Sequence, residues 1–156
     1  MKKLVIALFL LLLIVPAFAK QNVGFGFTIS GEGSGIFFMI PSKTKINPEI
    51  VTSGYITEYH YDLSLGGRVL YDLGQKGVVS RYTGAAAGLT LTSKYNMDTD
   101  TYAATVSYWG QLVLGTKVSL RESFLKAPVK IRGEVGFSLN DIWGRTHVGV
   151  GLEYEF

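Results

Sequence analysis

Between residues 59 and 73 apolar and polar positions alternate almost without a break. Tyr59, Tyr61, Leu63, Leu65, Val69, Tyr71 and Leu73 fall on one face with Gly67. His60, Asp62, Ser64, Gly66, Arg68, Leu70 and Asp72 fall on the other. Successive side chains of a strand point to opposite sides, so a period of two predicts a strand with one greasy and one wet face. The same design recurs at 129–139, where Val129, Ile131, Val135, Phe137 and Leu139 oppose Lys130, Arg132, Glu134 and Ser138. It recurs at 102–118 (Tyr102, Ala104, Val106, Tyr108, Leu112, Leu114, Val118) and at 22–30 (Val23, Phe25, Phe27, Ile29 against Asn22, Gly24, Gly26, Thr28, Ser30). The chain ends in it too: Val148, Val150, Leu152, Tyr154 and Phe156 alternate with His147, Gly149, Gly151, Glu153 and Glu155.

Two regions are less regular. Residues 78–94 change their apparent register around Ala85–Gly88, which predicts a bulge or kink at the small residues. Residues 35–57 predict two short strands about a turn near Ser42–Pro48, with Pro41 and Pro48 blurring both. Turns are expected at "GEGS" (31–34), "GQKG" (74–77), "NMDTD" (96–100) and "NDIWG" (140–144). The clear strands number about six and a generous count gives about eight, in the even spacing of an up-and-down meander. No helical periodicity, linker or internal repeat stands out, so the fold class is all-β.

The first segment changes where this chain belongs. Lys2 and Lys3 precede an apolar run from Leu4 to Val15, closed by Ala17-Phe18-Ala19. That run is too short for a transmembrane helix and reads as a cleavable export signal over residues 1–19. Removing 19 of the 156 residues leaves 137, one domain over residues 20–156. Loss of Lys2 and Lys3 lowers the formal charge from +3 to +1, so the basic balance is no argument for nucleic acid. The absence of cysteine excludes disulfides and removes the commonest soft metal ligand.

Alternation alone does not say which face meets water. A soluble barrel turns its apolar face inward, whereas a membrane barrel turns it to lipid and keeps charges, hydroxyls and glycine inside. Three features favour the second arrangement. Tyr61 to Tyr71 spans about 33 Å at about 3.3 Å per residue. Tilted by about 40°, it crosses the roughly 25 Å lipid-facing band with a tyrosine at each edge. The polar faces carry both charge signs, among them His60, Asp62, Arg68, Lys130, Arg132, Glu134, Arg145, His147 and Glu153, which predicts an interior polar network. Glycines at 24, 26, 66, 136, 149 and 151 leave room for it in a narrow lumen.

The last residues, "VGVGLEYEF", resemble the C-terminal sorting signal of bacterial outer-membrane barrels, and "SLGGRVLYDLG" is similar to an inner strand of the opacity-type and OmpA-like eight-stranded class. The resemblance implies a single antiparallel up-and-down transmembrane β-barrel of eight strands in the outer membrane. It implies that Val150, Leu152, Tyr154 and Phe156 are read by the barrel-assembly machinery, with periplasmic chaperones and outer-membrane lipids as the other partners, and a monomer as the final state. The outer loops at 96–100 and 140–144 are short, and the connection at 121–128 then lies on the periplasmic side. Short outer loops weaken an adhesin reading.

Candidate chemistry is sparse. Lipid A deacylases of this architecture carry a His and a Ser two apart on one strand face; His60 and His147 are followed two residues on by Asp62 and Gly149. His60 with Asp62 has the composition of an oriented base, but its register points it inward, away from a lipid substrate. No catalytic, metal or cofactor site is expected. "GEGSG" lacks the Lys-Ser/Thr and the helix of a phosphate loop. Trp109 falls on the polar register, and Trp143 suits an interface anchor. "DTD" at 98–100 reads as an ordinary loop. The reading is a small outer-membrane barrel with a structural or surface-exposed role, its interior closed to large solutes by polar side chains. The rivals are an outer-membrane lipid-modifying enzyme of the deacylase type and a soluble periplasmic barrel holding an apolar ligand. The last requires Leu63, Leu65, Val150 and Leu152 to point inward.

Overall fold

The computed structural model describes residues 24–30, 33–40, 42–97, 99–120, 128–140 and 144–155. The expected export signal, Trp143 and Phe156 lie outside them, as do Asp98 and most of the 121–128 connection. Eight strands follow one another: β1 (Gly24–Ser30), β2 (Gly33–Met39), β3 (Ile46–Ile56), β4 (His60–Lys76), β5 (Val79–Asn96), β6 (Thr101–Ser119), β7 (Val129–Asn140) and β8 (Gly144–Glu155). Each pairs antiparallel with the next, and β1 pairs with β8, so the sheet closes into an up-and-down barrel. Closure removes the unpaired edges that an apolar sheet of this kind would otherwise expose. Following a row of paired residues once round the barrel returns it displaced by about ten residues, which tilts the strands by about 40°.

Alternation translates directly into sides of the wall. Leu63, Leu65, Val150 and Leu152 point outward, 55%, 61%, 61% and 55% exposed. The soluble alternative needed these four inside, and the structure overturns it. Tyr61 and Tyr71, both outward and half-exposed, bracket the aliphatic stretch on β4. Across the barrel Arg68, Glu49, Arg132, Glu134 and Glu153 are buried on the lumen side. The molecule is thus apolar outside and charged within.

Three local expectations need correction. No bulge occurs at Ala85–Gly88, which pair in unbroken register with Val69–Gly66 on one side and Leu112–Trp109 on the other. Alanine and glycine occupy both faces there, which hides the alternation without breaking the ladder. The register shift lies instead between Asp72 and Gly74 on β4, where Gly74 has φ +120° and donates its N–H to Asp72 Oδ1 (2.8 Å). "GQKG" is therefore not a four-residue turn. β4 runs through Lys76, and Gly77 and Val78 alone make the hairpin, with Gly77 at φ +60° in the pattern of a II′ turn. Finally, β3 already begins at Ile46, so Pro48 is not part of the turn expected near Ser42–Pro48. It lies inside β3, where its carbonyl accepts from Ile40 N (2.8 Å) at the hairpin end of the β2–β3 ladder. There its missing N–H leaves no rung of that ladder open, since Met39↔Glu49 is the last β2–β3 pair.

Candidate functional site

The lumen divides into a solid layer and two vestibules. At the centre of the solid layer four charges form a closed ring of alternating sign. Arg68 (β4) reaches Glu49 (β3) through Nε (2.7 Å) and Nη2 (2.6 Å), and Glu134 (β7) through Nη1 (3.1 Å). Arg132 (β7) donates from Nη1 to Glu49 Oε1 (2.9 Å) and from Nε to Glu134 Oε2 (3.1 Å). Two guanidinium groups thus bridge two carboxylates, the planar fork-to-carboxylate match that favours Arg over Lys at such sites.

Neighbouring strands complete the layer. Tyr82 (β5) donates its hydroxyl to Glu134 (3.0 Å) and accepts from Arg132 Nε (2.8 Å). His147 (β8) places Nε2 3.0 Å from Glu134 Oε1. The Arg132 guanidinium lies between the rings of Phe37 (β2) and Tyr82, 4.7 and 4.8 Å from their centroids, an attraction strengthened by desolvation. Lys117 (β6) holds Glu153 (β8) at 2.7 Å, with Lys130 at 3.9 Å and Arg132 at 3.8 Å from the same carboxylate. Strands β2 to β8 all contribute a side chain, and β1 contributes space: a Cβ on Gly26 would stand 2.0 Å from the Phe37 ring.

Of the expected interior residues, Arg68, Lys130, Arg132, Glu134, His147 and Glu153 come together in this layer. His60 and Asp62 do not join it. They pair with each other nearer the end bearing the β3–β4 and β5–β6 connections, here called the upper end (His60 Nε2 to Asp62 Oδ2, 2.8 Å), and Thr92 donates to Asp62 Oδ1 (2.6 Å). Arg145 lines the space above the layer. Glu49, Tyr82, Lys117 and Phe37 are the participants that sequence reasoning did not single out. Lys117 alternates with Val118 and was open to the same register argument as Lys130. Glu49 stands beside a proline in a stretch where the period was blurred.

Above the layer an open vestibule of about 750 Å³ is lined by serine, threonine and Trp109, with Arg68, Glu134 and His147 among its lining residues. Below it, a smaller space of about 380 Å³ is bounded by Tyr82, Lys117 and Lys130. Residues of one ion-pair layer line both, so the layer is the partition between them. Val150, Leu152 and Tyr154 occupy alternate positions of β8, with Val150 and Leu152 on its outer face.

No protein-family model matches the chain, and no curated protein matches its sequence. Solved structures do. The N-terminal β-barrel domain of Pseudomonas aeruginosa OprF superposes with a TM-score of 0.65 at 16% identity, over 87% of this chain and 98% of that one. Neisserial surface protein A superposes with a TM-score of 0.57 at 13% identity, over 86% and 94%. Both are small outer-membrane barrels of eight strands. Strand number and barrel form agree, and the chain therefore has the fold of the small eight-stranded outer-membrane barrels.

Proposed function

We propose that this protein is an outer-membrane barrel with a structural or surface-exposed role in the cell envelope, and that its lumen is closed to large solutes. The observation that carries this reading is the inversion of polarity: leucine and valine exposed on the outer wall, a buried charge ring inside. In water such an outer wall would drive aggregation; in lipid it is solvated. The closed layer supports the second half, because a solute crossing the lumen would have to displace paired charges at great electrostatic cost. The role is non-catalytic. His60 is engaged with Asp62 on the lumen side, away from the lipid that a deacylase would attack.

The test is the gel mobility of detergent-extracted protein, unheated against boiled, with fractionation of the envelope and planar-bilayer recording. Recovery from the outer membrane, a heat-dependent shift and no porin-sized conductance are expected. Recovery as a soluble protein without a shift would overturn the membrane assignment. Large, steady conductance would overturn the closed lumen.

A further inference from the structure

The two halves of the lumen are filled differently. Around the ion-pair layer Phe37, Leu70, Tyr82 and Arg132 are almost fully buried, and the space left below them is only about 380 Å³. Eight-stranded barrels have an interior just wide enough for side chains to fill, so this half is the ordinary case. The upper half has nine serines and threonines among its lining residues, and about 750 Å³ is left open. That lies within the size range of small-molecule sites.

Within this cup one large ring is deliberately accommodated. Trp109 shares a row with Gly88 and Gly66 across β6, β5 and β4. A Cβ on Gly66 would stand 2.5 Å from Trp109 Cζ2, and one on Gly88 2.7 Å from the same atom. The indole therefore lies along the wall, over two residues that have no side chain, and its remaining surface lines the cup. Its Nε1 finds no partner among the described residues, so the ring is not held there by a hydrogen bond.

The cup also has a charge bias. Its carboxylates are engaged, Asp62 by His60 and Thr92, and Glu134 by the ring below. Lys94 and Arg145 line the same space, both exposed, Lys94 standing close enough to Asp62 to act on its charge as well. A wall of hydroxyl groups, a flat aromatic surface and two cations are complementary to a pyranose ring: its hydroxyls, its C–H face and an acid group respectively. We infer that the upper vestibule binds a small acidic saccharide, one or two sugar rings carrying a carboxylate.

The test is isothermal titration calorimetry of the protein folded in detergent micelles, with digalacturonate as probe and lactose as a neutral disaccharide of similar size. Saturable heat is expected from digalacturonate, with lactose weaker. Each cation removed in K94Q and R145Q should weaken digalacturonate by about fivefold, as for an exposed ion pair, and leave lactose unchanged. Ser107→Phe, which fills the cup from its wall, should abolish binding of both. Heat-dependent gel mobility checks separately that every variant is a closed barrel. Absence of saturable heat from the wild-type barrel, or an S107F barrel that binds like wild type, would overturn the site. Equal affinity for the two sugars would overturn its acidic class.

Discussion

Arg132 shows what one residue carries in this barrel. It is fully buried, donates to Glu49, Glu134 and Tyr82, and lies between two aromatic rings. Truncating one member of a buried ion-pair network leaves its partners charged and unpaired, at a cost of about 3–5 kcal/mol. R132A should therefore lower unfolding stability by about that amount in a urea titration in lipid vesicles, and R132M/E49Q should recover part of it. How far such residues could be read beforehand depended on their neighbours. Arg68 and Glu134 alternate with leucine, valine and phenylalanine, so their side of the wall followed from the pattern. Glu49 has Pro48 before it and two adjacent apolar residues, Ile50 and Val51, after it, so no alternation marked its face. Tyr82 is aromatic in a class where aromatic residues also form the outer girdle, so its inward direction rests on register alone.

At the scale of the strand, β4 is the clearest case. Its outer face, Tyr61 to Tyr71, has the length and the aromatic ends of a lipid-crossing segment, and its inner face carries Asp62, Ser64 and Arg68. A charge placed on the outer face near the midplane should cost about 2–4 kcal/mol, while one on the hydroxyl-lined lumen side is solvated. L65R should reduce the fraction that inserts into vesicles, and S64R should not; protection from protease after mixing with lipid measures both. β4 and β7 were legible because a two-residue period needs only a few contrasting pairs to declare itself. β5 was not, since Gly84, Ala85, Ala86, Ala87 and Gly88 supply no contrast, and a ladder continuous through them looked like a break. The real irregularity, at Asp72–Gly74, depends on a positive φ and an aspartate side-chain bond, and an acidic residue two before a glycine has many other uses in loops.

The whole molecule is a closed wall of unequal parts. Among the described residues the β5–β6 ladder runs from Val79↔Val118 to Asn96↔Thr101, whereas β2–β3 runs from Ser34↔Gly54 to Met39↔Glu49 and β1–β8 from Gly24↔Glu155 to Ser30↔Gly149. The central brace adds to the inequality. Its charged and tyrosine side chains spring from β3 to β8, while β1 gives it only room and β2 gives it Phe37. Local opening follows the number of bonds and contacts that must be lost together. In deuterated buffer the amides of β1 and β2 should therefore exchange well before those of β5 and β6, and uniform protection round the circumference would contradict this. A barrel so built keeps time unevenly. One arc of it breathes while the opposite arc stands still, and the slow arc, not the seam, sets how long the molecule survives.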